Sequence, residues 1–271
     1  MTSPRILLFD SGMGGLTVAR AVATQSPEAH LVYAADNAGF PYGAWTEAAL
    51  AARIVGVIGR LIEKTGPHIV VIACNTASTI ALAALRETYK VPFVGTVPAI
   101  KPAAAQTRSG IIGVLATPGT VSREYTRALI RAHANHCQVV LHGSRRLAEI
   151  AELKLNGHAV DLEQLRHETA PVYLRRDGLS TDVVVLGCTH YPLLVEEIET
   201  VAPWRVEYLD PAPAIARRAA DVLDETPRHE AKSGVPAHGT VILTAARGAA
   251  QSLAAYAAMG FPLHQSIELP V

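Results

Sequence analysis

The sequence VVIACNTAS at residues 70–78 and the sequence VVVLGCTHYP at residues 183–192 share one pattern. In each, an apolar run rich in β-branched residues ends in a cysteine, and small polar residues follow. Short apolar runs of this kind predict strands that are buried on both faces, as in a parallel sheet covered by helices. Two of the three cysteines in the chain, Cys74 and Cys188, occupy the same place in the two runs. The pattern therefore predicts two related α/β halves.

Strands and helices alternate around both runs. RILLFD, HLVYAAD, HIVVIAC and PFVGTV read as strands of a first series, and GIIGVLAT, CQVVLHG and DVVVLGC read as strands of a second. Such alternation indicates a mainly parallel sheet with helices on both faces. Prolines near residue 98 separate the two series, and DPAP at residues 210–213 marks a return to the first half, where TVILTA supplies another strand. We predict one lobe from residues 1–97 and 212–271, and a second from residues 98–211.

Composition argues against several classes of function. Lysine plus arginine and aspartate plus glutamate both number 24 in the 271 residues, which gives a formal net charge of zero. No basic stripe predicts a nucleic acid or membrane partner, and no apolar stretch is long enough for a membrane helix. The first residues, MTSPRILLFDSG, have no features of a signal peptide, so we expect a cytoplasmic protein. Three dispersed cysteines without a C-x-x-C pair predict neither a disulfide framework nor a metal site.

The two cysteines suit acid–base chemistry at one carbon atom. Ligands of open parallel sheets bind at the carboxyl ends of the strands, where both cysteines are predicted to lie just before a helix. A helix N-terminus lowers the pKa of a thiol and binds anionic oxygens. If the two lobes face each other, Cys74 and Cys188 form opposite walls of one pocket. Two bases on opposite faces of a carbon are what an inversion of configuration requires.

Each thiol has a candidate partner. Asp10 ends the first strand, so it should lie at the same sheet edge as Cys74, and His190 follows Cys188 by two residues. Each could hydrogen-bond to its thiol, although Asp10 could equally cap the following helix. Cys137 begins a strand with no polar residues after it, so we interpret it as structural.

Five motifs of the sequence resemble those of a known family. FDSGMGGLTV, DNAGFPYG, ACNTAS, GVLATPGTV and LGCTHYPLL occur in the order and spacing typical of the glutamate racemases, within the cofactor-independent aspartate/glutamate racemase superfamily. The resemblance covers roughly residues 9–194. It implies two similar lobes related by a pseudo-twofold axis, with the active site between them. It also implies interconversion of L- and D-glutamate without pyridoxal phosphate or another cofactor, supply of D-glutamate for peptidoglycan synthesis, and a chain that could form a homodimer.

The resemblance also assigns residues. Cys74 and Cys188 become the two acid/base catalysts, assisted by Asp10 and His190. The implied substrate contacts are Asp10, Ser11, Tyr42, Gly43, Asn75, Thr76, Thr189 and His190. An auxiliary glutamate is harder to place, because many relatives have ACPxFVPLVE where this chain reads LHGSRRLAEIAE. We choose Glu152, with Glu149 as the alternative.

Three other functions remain open from the sequence. Aspartate or another acidic amino acid could be the substrate, because the depth of the side-chain pocket cannot be read from one sequence. A Cys–His hydrolase could use Cys188 as its nucleophile, but it would leave Cys74 and the repeat unexplained. A two-lobed binding protein without catalysis is the third alternative.

Overall fold

The computed structural model describes residues 3–230, 234–246 and 249–267. The strands are β1 (Arg5–Asp10), β2 (His30–Ala35), β3 (Ile69–Ile72), β4 (Phe93–Val94), β5 (Ile111–Ala116), β6 (Gln138–Gly143), β7 (Arg175–Arg176), β8 (Leu179–Ser180), β9 (Val183–Gly187), β10 (Glu207–Leu209), β11 (Thr240–Leu243) and β12 (Leu263–Ser266). The α-helices are α1 (Leu16–Gln25), α2 (Glu47–Thr65), α3 (Asn75–Thr88), α4 (Ile100–Gln106), α5 (Pro118–Val121), α6 (Glu124–His133), α7 (Leu147–Leu155), α8 (Leu162–Thr169), α9 (Val195–Val201), α10 (Ala212–Glu225) and α11 (Ala249–Ala258).

The chain divides into two compact units, residues 1–96 with 212–271 and residues 97–211. The first unit contains a six-stranded sheet in the order β12-β11-β2-β1-β3-β4, and every strand pair in it is parallel. The second unit contains a four-stranded parallel sheet in the order β10-β9-β5-β6. The short strands β7 and β8 form a separate antiparallel pair. The predicted α/β class, with a parallel sheet in each of two lobes, is confirmed.

The strand order repeats between the two units. The neighbours β2-β1-β3-β4 of the larger sheet correspond to β6-β5-β9-β10 of the smaller one. Cys74 follows β3 and Cys188 follows β9, so both cysteines come after the same strand of the repeat. The repeated sequence pattern therefore reflects a repeated topology, to which the first unit adds β11 and β12.

Helix α2 shows how local sequence sets these boundaries. The Thr46 side chain accepts a hydrogen bond from the backbone N–H of Ala49 and caps the first turn. The helix ends at Gly66, which has φ of 51° and so takes the left-handed conformation that glycine adopts without steric cost. Its apolar residues recur at helical spacing and are buried; they are Leu50, Ile54, Val57, Ile58 and Leu61.

Several predicted strands are shorter in the structure. The predicted strand at residues 68–74 is Ile69–Ile72, and the one at residues 92–97 is only Phe93–Val94. Strands β10 and β12 were not predicted, because they are short and largely polar or exposed. Within the described ranges, none of the helices combines the length and the apolar character that crossing a bilayer requires.

Candidate active site

The first half-site lies at the carboxyl ends of β1 and β3. The backbone N–H of Ala73 donates to the carbonyl of Phe9 over 2.9 Å, so the two strands end side by side. Asp10, the last residue of β1, is completely buried, and its Oδ1 accepts a hydrogen bond from the backbone N–H of Gly12 over 2.9 Å. The carboxylate thus braces the turn that leads into α1, and it lies at the predicted sheet edge.

Glycine at position 15 allows this turn to pack closely. A Cβ atom there would lie 2.7 Å from the Tyr33 hydroxyl and 2.8 Å from Cβ of Asp10. The Tyr33 hydroxyl in turn donates to the carbonyl of Gly12 over 2.8 Å. The SGMGG sequence therefore acts as a tight turn that brings the backbone close to the strand ends.

Cys74 is the N-cap residue of helix α3. Its Sγ accepts a hydrogen bond from the backbone N–H of Ala77 at 3.5 Å, and its thiol lies 3.9 Å from Oγ of Ser11. Ser11 Oγ is also 3.4 Å from Oδ1 of Asp10, so a serine hydroxyl lies between the carboxylate and the thiol. The side chain of Cys74 is buried, with 7% of the residue exposed. The first turn of a 14-residue helix favours negative charge on this sulfur.

Asn75 and Thr76 follow directly in the first turn of α3, and both are buried. Neither the amide nitrogen nor the amide oxygen of the Asn75 side chain has a hydrogen-bond partner in the described part of the chain. A buried amide without partners costs free energy, typically about 1–3 kcal/mol. A ligand with both a donor and an acceptor would offset that cost, which makes Asn75 a strong candidate for a ligand contact.

Tyr42 and Gly43 lie in a short 3₁₀ turn, Tyr42–Ala44, of the same unit. The phenol of Tyr42 is buried and donates to Oδ2 of Asp36 over 2.7 Å. Burial, followed by the negative charge of Asp36, raises the pKa of Tyr42 well above its ordinary value. The phenol therefore stays protonated and serves as a hydrogen-bond donor.

The second half-site lies in the other unit, at the carboxyl end of β9. Cys188 is 6% exposed, and Thr189 and His190 beside it are buried. The prediction of a helix directly after this cysteine is wrong. A 3₁₀ turn, Tyr191–Leu194, comes first, and α9 begins only at Val195. A short turn has little of the dipole of a long helix, so the thiol depends on side-chain partners.

His190 is that partner. Its Nδ1 lies 3.7 Å from Sγ of Cys188, and its Nε2 lies 2.7 Å from Oε1 of Glu152. Burial by itself lowers the pKa of His190, but the hydrogen bonds and negative charges of Cys188 and Glu152 outweigh it and raise the pKa well above its ordinary value. A protonated imidazole at this position can donate to both the sulfur and the carboxylate.

The structure separates the two candidate glutamates. Glu152 lies on α7 beside His190, whereas Glu149 pairs with Arg146 over 3.0 Å and both of these side chains are about half exposed. The end of α7 is also tied to the Cys188 segment, because Lys154 Nζ donates to the carbonyl of Leu193 over 2.7 Å. The geometry therefore supports Glu152 as the auxiliary acid.

Two residues close to these half-sites are not among the predicted site residues. Tyr191 is completely buried next to His190, and its hydroxyl donates to the carbonyl of Ala116 over 3.0 Å. Asp36, which directly follows β2, accepts a hydrogen bond from the Tyr42 hydroxyl. The family motifs contain both residues, but nothing in their spacing indicates these contacts. Cys137 is half-buried and packs on a hydrophobic cluster of its unit, as expected for a structural cysteine.

Comparison with known proteins defines the class. The family model described as Asp/Glu/Hydantoin racemase matches residues 16–219. With its two parallel sheets and a thiol after the same strand of each, the chain belongs to this racemase family.

Its relatives are glutamate racemases. The chain is 54% identical to the glutamate racemase of Mesorhizobium japonicum, over 82% of this chain and 86% of that one. It is 53% identical to that of Sinorhizobium medicae, over 80% and 81% of the two chains. Among solved structures, Escherichia coli glutamate racemase, in complex with L-glutamate and the activator UDP-MurNAc-ala, has a TM-score of 0.91 and 43% identity, and 99% of each chain is covered. These findings confirm the resemblance to the glutamate racemases.

Proposed function

We propose that this chain is a glutamate racemase that interconverts L- and D-glutamate by a two-thiol mechanism. The observation that carries the proposal is the pair of half-sites: each presents a buried thiol after the same strand of a repeated topology. The relatives that match at 53–54% identity over about four fifths of the chain are glutamate racemases, which supports glutamate as the substrate.

The mechanism assigns the two thiols opposite roles. One of them, as thiolate, removes the α-proton of glutamate; the other, as thiol, delivers a proton to the opposite face of the planar carbanion. The roles reverse for the other enantiomer. Helix α3 favours the thiolate of Cys74, while protonated His190, held by Glu152, balances the charge of the thiolate of Cys188 and can exchange a proton with it.

The α-proton is a weak acid, so the site must stabilise the carbanion electrostatically. We assign Asn75 to the substrate's polar groups, and its buried amide, which lacks partners in the described structure, supports that role. Ser11, Thr76 and Thr189 supply further donors, and we assign Tyr42 and Gly43 to substrate binding from their family motif. Asp10 beside the first half-site suits the ammonium group of the substrate.

The product defines the physiological role. D-glutamate is required for peptidoglycan synthesis, so we propose a cytoplasmic enzyme that supplies the cell wall and contributes to cell shape. We further propose that it acts as a homodimer, which sedimentation equilibrium of the purified protein tests.

Incubation with L-glutamate in D₂O, without added cofactor, tests the proposed function. We expect the α-proton NMR signal to disappear and the circular dichroism to decay to zero. L-Aspartate, the alternative substrate, is the matched control. Exchange with aspartate alone would assign the chain to aspartate racemisation, and no exchange with either would contradict a racemase.

A further inference from the structure

Asp36 is a completely buried carboxylate at the same sheet edge as Asp10. Its backbone N–H donates to the carbonyl of Asp10 over 2.8 Å, which fixes it directly after β2. Three side chains donate to its two oxygens: Tyr42 over 2.7 Å, Arg53 over 2.8 and 2.6 Å, and Thr244 over 2.6 Å. Asp36, to which the sequence motifs assign no role, therefore accepts four side-chain hydrogen bonds, two of them from a charged group.

Arg53 makes the burial of this charge possible. Its guanidinium binds both carboxylate oxygens, and this fork-like geometry is the strongest form of an arginine–carboxylate pair. The hydrogen bond to Asp36, the largest influence, raises the pKa of Arg53 above its ordinary value. The same guanidinium lies 5.4 Å from the centre of the Trp45 ring. Without a cation, a carboxylate with no exposed surface would be strongly unfavourable.

The segment from residue 38 to residue 45 is anchored to this cluster at several points. Thr244 Oγ1 accepts from the backbone N–H of Ala38 over 3.1 Å, and the backbone N–H of Gly39 donates to the carbonyl of Asp36 over 2.9 Å. Farther along, Trp45 Nε1 donates to the carbonyl of Gly39 over 2.9 Å. The position of the 3₁₀ turn that carries Tyr42 and Gly43 therefore depends on Asp36 and on the groups bound to it.

We propose that Asp36 and Arg53 are positioning residues of the substrate site, acting through the hydroxyl of Tyr42. This inference rests on the proposed function, in which Tyr42 and Gly43 contact glutamate. Arg53 fixes the carboxylate, the carboxylate fixes the phenol, and the phenol fixes the turn. Because these three groups act on the position of the turn that contacts the substrate, their loss weakens substrate binding more than proton transfer.

A double-mutant cycle on purified protein tests the proposal. Arg53→Lys keeps the charge but loses the fork, and Tyr42→Phe removes only the hydroxyl. We expect each variant to raise KM for L-glutamate about tenfold, equivalent to ~1.4 kcal/mol, with kcat changed less than about twofold. Because both side chains act through the same contacts, KM of the double variant should be no higher than that of the single variant with the higher KM. Arg60→Lys, an exposed arginine on the same helix, is the control and should leave KM unchanged.

Three results would overturn the proposal: unchanged KM in Arg53→Lys, fully additive effects in the double variant, or a fall in kcat at constant KM. Thermal unfolding of each variant shows whether the fold is retained, and Tyr42→Phe keeps the test decisive if Arg53→Lys unfolds. Wild-type protein that fails to racemise glutamate would refute the proposed function instead. The two failures are therefore distinguishable.

Discussion

The two half-sites place a thiol after the same strand of the same topology, but they surround it differently. Cys74 caps a 14-residue helix; a backbone N–H lies 3.5 Å from its sulfur, and a serine hydroxyl that donates to the buried carboxylate of Asp10 lies 3.9 Å away. Cys188 precedes a 3₁₀ turn, and its partner is the imidazole of His190, which is held by Glu152 at 2.7 Å. The first thiol lies at the N-terminus of a long helix, and the second lies beside an imidazole that is paired with a carboxylate.

The different surroundings allow one repeated topology to support two catalytic roles. The helix dipole at Cys74 does not change with pH. The His190–Glu152 pair carries a proton that can be lost, so the environment of Cys188 is sensitive to pH and to single substitutions. Substitutions near Cys188 should therefore have larger effects than comparable substitutions near Cys74.

Loss of either thiol should have the largest effect. Cys74→Ser and Cys188→Ser replace a good acid/base with a hydroxyl that is a very weak acid, so we expect racemisation to fall by about 10³-fold or more in each. Polarimetric assays from both enantiomers measure it. Cys137→Ser, which changes a structural cysteine, is the matched control and should retain activity. A near-normal rate in either active-site variant would contradict the two-thiol mechanism.

Loss of the Glu152 charge should be the next largest effect. Glu152→Gln removes a group that raises the pKa of His190. We expect kcat to fall about 10- to 100-fold. The alkaline limb of the pH–rate profile should move to lower pH, because the imidazolium then loses its proton at a lower pH. Glu149→Gln, on the exposed face of the same helix, is the control. If Glu149→Gln showed the loss and Glu152→Gln did not, the assignment would be reversed.

A smaller effect is expected for Ser11. Its hydroxyl lies 3.4 Å from Asp10 and 3.9 Å from the thiol, which are long contacts. Ser11→Ala should therefore lower kcat/KM by about fivefold, equivalent to ~1 kcal/mol, without shifting the pH profile. Steady-state kinetics checks this. A loss as large as that of Glu152→Gln would remove the contrast between the two half-sites.

The smallest expected effect is on stability, at His68, which belongs to neither half-site. Its ring nitrogens lie 2.9 and 3.1 Å from the backbone nitrogens of Arg5 and His229. A neutral ring accepts a hydrogen bond from one of these N–H groups, whereas a protonated ring carries a hydrogen on both nitrogens and accepts from neither. Burial, then the positive charges of His229 and Arg5, lowers the pKa of His68 to about 4. A lowered pKa in the folded state contributes stability above the unfolded value of about 6.5, which is lost as pH falls toward 4.

We expect the free energy of unfolding to fall by about 1 kcal/mol from pH 7 to pH 5 through this group. His68→Asn should remove this part of the pH dependence, as measured by urea denaturation at both pH values. His158→Asn, at an exposed histidine in the other unit, is the control. An unchanged slope in His68→Asn would show that acid sensitivity arises elsewhere.

The sequence revealed the strands because a parallel sheet needs continuous apolar runs, and it revealed the thiols because the runs repeat. It did not reveal the 3₁₀ turn after Cys188, where Pro192 lies at the start of the turn. It also could not show that Thr244 and Asp36, separated by 208 residues, form one cluster. Contacts of that kind depend on how helices and loops pack on the sheet, and residue spacing carries no information about them.

The most direct test of the two-thiol account is the fate of the α-proton early in the reaction. L-Glutamate is incubated with the protein in D₂O, and both enantiomers are separated and analysed for deuterium at low conversion. With two bases, the new proton comes from the second thiol, so D-glutamate should carry deuterium while recovered L-glutamate keeps its proton. Deuterium that appears equally early in recovered L-glutamate, or protium retained in the product, would indicate a single base and contradict the account.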